Sequence, residues 1–205
     1  MANLRAAQKQ MTRRLLLDSA LDLFQENGYA PTTIDEIASR AGTTRVTFYA
    51  YFPSKTELVR ALIDDRLNEV LHRRSTQEGH STAPALVEVV AAGTREQIGS
   101  WIRTTAENWP NVRPLIQVGR DAAAVDRALV AVVDTWMEDA IGDIERGLEE
   151  AGRFEPDTRH FRGVLAMGQF DYVAQHWADH ADRWAIEQDR MLDLLTDAWM
   201  SVLAE

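Results

Sequence analysis

The sequence predicts an all-α protein: an N-terminal three-helix helix-turn-helix domain followed by a larger helical body, about nine helices in total. Three observations carry this. Apolar residues recur at helical spacing in nearly every segment. No stretch alternates with period two. Each periodic stretch is bounded by a capping residue, a glycine or a proline. The 205 residues suit one large domain or two small ones, and the boundary is expected at Pro53, giving domains 1–53 and 54–205.

The elements follow in order. Leu17, Ala20, Leu21 and Phe24 share one face of a first helix, with Thr12 as N-cap and Asn27-Gly28 as its stop. Thr33 followed by Glu36 is a capping box that opens a second helix with Ile34, Ile37, Ala38 and Ala41 on its apolar stripe. Gly42 ends that helix, Thr44 caps a short third helix over Arg45–Tyr51, and Pro53 ends it. Ser54 and Glu57 form a second capping box, opening a long fourth helix towards Ser75. Residues 75–84 read as a loop. Helices are expected near 84–107, 110–122, 124–151, 156–179 and 183–203.

Composition narrows the class. The formal charge is -10, 45% of residues are hydrophobic, and there is no cysteine, so neither disulfides nor thiolate chemistry is available. No run approaches the ~18 apolar residues of a membrane span, and the N-terminus lacks the apolar core of a signal peptide; a cytoplasmic protein is expected. The charge is unevenly placed. Residues 1–60 hold eight basic and six acidic groups, and the rest of the chain holds 14 basic and 26 acidic ones. A basic end on an acidic body points to an anionic partner for that end alone.

The third helix suggests which anion. Phe48 and Phe52 stand four apart and face the three-helix core, while Ala38, Gly42 and Phe48 have the small residue, turn glycine and apolar plug of a helix-turn-helix. Thr44, Arg45, Val46, Thr47 and Tyr49 are left on other sides. Arginine can fork onto guanine, valine and threonine methyls can pack on thymine, and hydroxyls and helix N-termini can donate to phosphates. The plainer reading is a packed αα-corner with half-buried tyrosines.

The run "TTIDEIASRAGTTRVTFYAYFPSKTELV" resembles the DNA-binding signature of the tetracycline-repressor (TetR) family, and the motif spans residues 12–58. The resemblance implies a homodimer on a double-stranded DNA operator. It places Thr33 at a phosphate, Thr44, Arg45, Val46 and Thr47 in the major groove, and Tyr49 at a phosphate or base. Tyr51 and Lys55 are placed on the backbone. Arg13 and Arg14 are further phosphate candidates. Val46 stands where glycine is frequent in the family, and Ala50 where histidine or an aromatic is frequent.

All six tryptophans lie in the acidic body. Most such rings fill cores; several around few polar groups also line small-molecule sites. The resemblance implies a pocket for a small lipophilic effector, with Trp101, Thr105, Trp136, Met137, Met167, Gln169 and Phe170 as candidates. Tryptophans and an amide at similar relative places give a more distant likeness to EthR-type members. It also implies a dimer interface on the last two helices, with Val164, Gly168, Leu195 and Trp199 as candidates; the alternative is that this stripe closes the monomer's own core. No cofactor is expected. No nucleophile elbow, P-loop, zincin or dinucleotide motif is present, so no enzymatic activity is expected. His176 and His180, with Asp179 and Asp182 nearby, lack a third clear metal ligand. The competing reading is a helical ligand-binding or scaffold protein whose N-terminal bundle only packs.

Overall fold

The structure is a computed structural model and describes residues 2–77 and 80–204. The chain divides into two compact units: residues 1–69 with 114–134, and residues 70–113 with 135–205. Among the described residues no helix is long and apolar enough to cross a membrane.

In the first unit, α1 (Ala2–Asn27) starts well before Thr12, whose hydroxyl donates back to the Gln8 carbonyl at 3.1 Å. Thr12 is therefore an interior residue of the helix. Leu16, Leu17, Ala20, Leu23 and Phe24 form its buried face. Helix α2 (Ile34–Arg40) begins at the expected capping box: Glu36 N–H donates to Thr33 Oγ1 at 3.3 Å, and Thr33 N–H donates to Glu36 Oε2 at 2.7 Å. Gly42 turns the chain at φ 67°, a conformation that a Cβ would penalise. Thr44 then caps α3 (Arg45–Tyr51) by accepting from Thr47 N–H at 3.2 Å. Phe48 and Phe52 pack 5.8 Å apart, both buried with Ile37, Leu58 and Val59.

Helix α4 (Lys55–Ala61) is capped by Ser54. It is shorter than expected. It widens into a π-helical turn over Leu62–Leu67, continues as α5 (Asn68–Val70) and does not reach Ser75. His72 takes a positive φ of 52° immediately after, which turns the chain out of the helix. The remainder of this unit, residues 114–134, includes a 3₁₀ turn over Arg127–Leu129. Asp126 caps that turn through the Ala128 N–H at 3.1 Å. The helix expected over 124–151 is thus interrupted at its start.

The second unit opens with an antiparallel hairpin, β1 (Arg74–Gln77) and β2 (His80–Thr82), where the sequence reads as a loop. Period two cannot show over so short a strand. This hairpin is held by side chains from far along the chain. Asp139 accepts the Ser81 N–H at 2.6 Å, and Asp143 accepts the Ala83 N–H and the Thr82 hydroxyl, both at 2.7 Å. Asp143, fully buried, also pairs with the buried Arg73 at 3.3 Å. A helix expected over 84–107 is two, α6 (Pro84–Ala92) and α7 (Arg95–Glu107), because Gly93 turns left-handed at φ 64° and Thr94 caps afresh. The others are α8 (Trp109–Ala123), α9 (Val130–Glu150), α10 (Pro156–Trp184) and α11 (Gln188–Leu203). Helices α8 and α9 contribute residues to both units. Gly163 on α10 leaves room for α9: a Cβ there would come within 3.0 Å of the Ile141 carbonyl oxygen.

Candidate nucleic-acid interface

The outer face of α3 is built from its own cap and from one acid on α2. Thr44, Arg45, Val46 and Tyr49 are exposed, Thr47 and Tyr51 are half-buried, and Thr33 is exposed at the start of α2. Val46 is 80% exposed, the largest value among the large hydrophobic residues described as exposed. Its isopropyl group stands largely in solvent. Arg45 is held ready. Its guanidinium donates to Asp35 at 2.7 Å and to the Tyr49 hydroxyl at 3.3 Å, and lies 5.6 Å from the Tyr49 ring centroid. The Tyr49 hydroxyl, followed by the Asp35 carboxylate, raises its pKa above the ordinary arginine value. Thr44 and Thr47 hydroxyls touch at 3.1 Å. Asp35 is the residue that sequence reasoning missed; as an acid in the first turn of α2 it reads only as a favourable dipole contact.

Lys55 is differently placed from the phosphate contact expected of it. Its ammonium donates to the carbonyls of Tyr29 (2.7 Å), Ala30 (3.3 Å) and Thr32 (2.8 Å), and sits 4.2 Å from the Tyr29 ring centroid. All three donors are thus spent inside the fold, tying the first turn of α4 to the α1–α2 loop. Burial pushes its pKa below the usual lysine value. Arg13 is likewise engaged, paired with Asp65 and lying over the Phe52 ring at 5.2 Å, and Arg14 lies 3.8 Å from Glu69.

In the second unit, Trp101, Met137, Met167 and Phe170 of the expected pocket belong to one apolar cluster. Trp101 stacks on Trp199 at 5.3 Å and tilts against Phe170 at 5.5 Å. Thr105 is half-buried. Trp136 lies apart from these rings, beneath the Arg73 guanidinium at 5.9 Å. Gln169 is corrected: it is exposed, one position round α10 from the buried Phe170. The interface expectation is also corrected in part. Leu195 and Trp199 are buried in this unit's own core, and Trp199 Nε1 donates to the Ala166 carbonyl at 3.0 Å. Val164 is half-buried, while Gly168 is exposed. Of the weighed metal ligands, Asp179 is taken by Arg113, and among the described residues no three His, Cys, Asp or Glu converge.

Two short helices hinged at a glycine, with an aromatic plug inside and Thr, Arg, Val and Tyr outside, form a helix-turn-helix. Residues 16–62 match the model of the bacterial regulatory proteins, tetR family. The transcriptional regulator SrpR of Pseudomonas putida is 38% identical over 66 residues, 32% of this chain and 31% of that protein's length. EthR of Mycobacterium tuberculosis is 24% identical over 193 residues, covering 91% of this chain and 84% of EthR. Among solved structures, a SmeT–triclosan complex shares the fold with a TM-score of 0.66 and 22% identity, covering 94% of this chain and 90% of that one.

Proposed function

We propose that this protein is a ligand-responsive, dimeric transcriptional repressor that binds a pseudo-palindromic operator through α3 and leaves it when a small lipophilic effector binds. The observation that carries the DNA-binding part is the outer face of α3: an isopropyl group 80% exposed beside an arginine oriented by Asp35 and Tyr49. Arg45 and Val46 read base edges. Thr33, Thr44, Thr47, Tyr49 and Tyr51 supply phosphate and base contacts around them. Lys55 holds the α1–α2 loop in place rather than reaching DNA. Enrichment of duplexes from a random pool by the full chain tests this; a palindromic consensus is expected, and no enrichment overturns it.

One short helix reads too few base pairs alone, so two copies are needed. The outward face of α10 offers a surface for the second copy: Phe161 (62% exposed), Leu165, Gly168 and Tyr172 (58% exposed) recur at helical spacing. Leu165→Glu with Tyr172→Glu gives a monomer in light scattering where wild type is a dimer; a double variant that stays dimeric moves the interface elsewhere.

The effector is a neutral molecule with a ring or acyl chain and a hydrogen-bond acceptor. The indole N–H of Trp109, within the apolar cluster, is buried without an acceptor, a cost that a ligand oxygen would remove. The triclosan bound by SmeT is a neighbour's ligand of this general character. A coupling of ~1–3 kcal/mol would lower operator affinity about 5–150-fold. Compounds that quench tryptophan fluorescence without changing operator affinity would overturn this part.

A further inference from the structure

Two hydroxyl groups of the DNA-binding part converge on one carboxylate that is remote in sequence. Thr56 Oγ1, in the first turn of α4, donates to Asp126 Oδ2 at 2.6 Å. The Tyr29 hydroxyl, from the α1–α2 loop, donates to the same oxygen at 3.1 Å. The other oxygen, Oδ1, accepts the Ala128 N–H and caps the turn over Arg127–Leu129. Both oxygens are thus committed, one to the DNA-binding helices and one to the connection between α8 and α9. Leu129, the last residue of that turn, is fully buried, and its N–H donates to the Asp126 carbonyl at 3.0 Å.

The contact closes a ring of four residues. Lys55 Nζ binds the Tyr29 carbonyl and lies on the Tyr29 ring. Thr56 follows Lys55 in the chain and reaches Asp126, and Asp126 returns to Tyr29. Hydrogen bonds to an ionised acceptor are shorter and stronger than neutral ones, and the Thr56 contact at 2.6 Å is of that kind. In accord with it, the Thr56 hydroxyl foremost, and then the Ala128 N–H, the Tyr29 hydroxyl and Lys55, outweigh burial and hold the Asp126 pKa below the usual carboxylate value.

We propose that Asp126 is a positioning residue for DNA recognition: by clasping Tyr29 and Thr56 it fixes the attitude of the helix-turn-helix on residues 114–134, and so the half-site spacing that a dimer accepts. The inference rests on the DNA-binding reading above. A dimer reads half-sites about 34–36 Å apart, and one inserted base pair moves them by about 3.4 Å and about a tenth of a turn. A rigidly mounted recognition helix rejects that change. A helix freed from its clasp follows it.

The test uses the full chain, the enriched operator, and the same operator with one base pair added or removed at its centre. Wild type is expected to bind the altered spacings at least about tenfold more weakly, the scale of one lost base contact. Thr56→Val combined with Tyr29→Phe keeps the aromatic ring and the Asp126 cap but removes both donors. In that variant, and in Asp126→Ala, the discrimination falls below about threefold, whereas Thr56→Ser keeps it. Melting curves identify variants that remain folded, and Tyr29→Phe alone, the mildest change, gives an intermediate loss. Folded variants that reject the altered spacings as strongly as wild type overturn the proposal, as does Thr56→Ser behaving like the loss of both donors. A wild-type chain that enriches no duplex overturns the DNA-binding reading itself and this inference with it.

Discussion

Helices α3 and α11 both carry apolar side chains at positions that attract attention in the sequence, and the fold treats them oppositely. On α11, Met191, Leu192, Leu195, Trp199 and Leu203 all lie buried against the second unit's own helices. On α3, Phe48 is buried and Val46, two residues earlier, stands in solvent beside Arg45. An apolar stripe states that burial is needed and is silent about the partner. A lone apolar residue among threonines and an oriented arginine is the more informative case, because the fold leaves it in solvent.

The comparison breaks first at Trp199. Trp199→Ala removes a fully buried ring stacked on Trp101 and close to Phe170. It should cost ~3–5 kcal/mol of stability in a denaturant titration; a cost under ~1 kcal/mol would mean that the face is not core. Next is the ionic centre under the hairpin. Asp143→Ala leaves the buried Arg73 uncompensated and exposes the Thr82 and Ala83 donors to loss of their acceptor. The expected loss is again ~3–5 kcal/mol, while the double change Asp143→Leu with Arg73→Met should recover only the part that comes from the uncompensated Arg73 charge.

In the first unit the effects are smaller. Thr33→Ala opens the capping box of α2 and should cost ~1 kcal/mol. The smallest effect is one of pH. The Thr33 N–H and hydroxyl hold the Glu36 pKa below its ordinary value, so this contribution is full above the unfolded carboxylate pKa, about 4.3, and fades as pH falls through the lower folded value. The melting difference between wild type and Glu36→Gln should therefore close on acidification; a gap that widens would contradict the assignment.

How much of this could be read beforehand follows the range of the interactions. The capping box at Thr33, the Thr44 cap, the Gly42 turn and the Phe48 plug are local and were legible residue by residue. The broken helix at Gly93 was local too, yet the apolar period carries across it. The hairpin at Arg74–Thr82 was invisible because Asp139 and Asp143 hold it from about 60 positions away. Asp126 was invisible for the same reason, at 97 and 70 positions from its partners. The residue types on the outer face of α3 were legible; that Lys55 turns inward, that Gln169 turns outward and that Asp35 steadies Arg45 were not, since each depends on where a neighbouring loop or helix lies.

The central claim, that α3 reads base edges, is tested most directly by operator binding of wild type and Arg45→Ala, measured side by side with their melting temperatures. Arg45 is exposed, so the melting temperature should hardly move. Affinity for the enriched operator should fall by ~1–3 kcal/mol, with relaxed preference at one base pair in each half-site. Equal operator affinity and unchanged base preference in the two proteins would contradict the account.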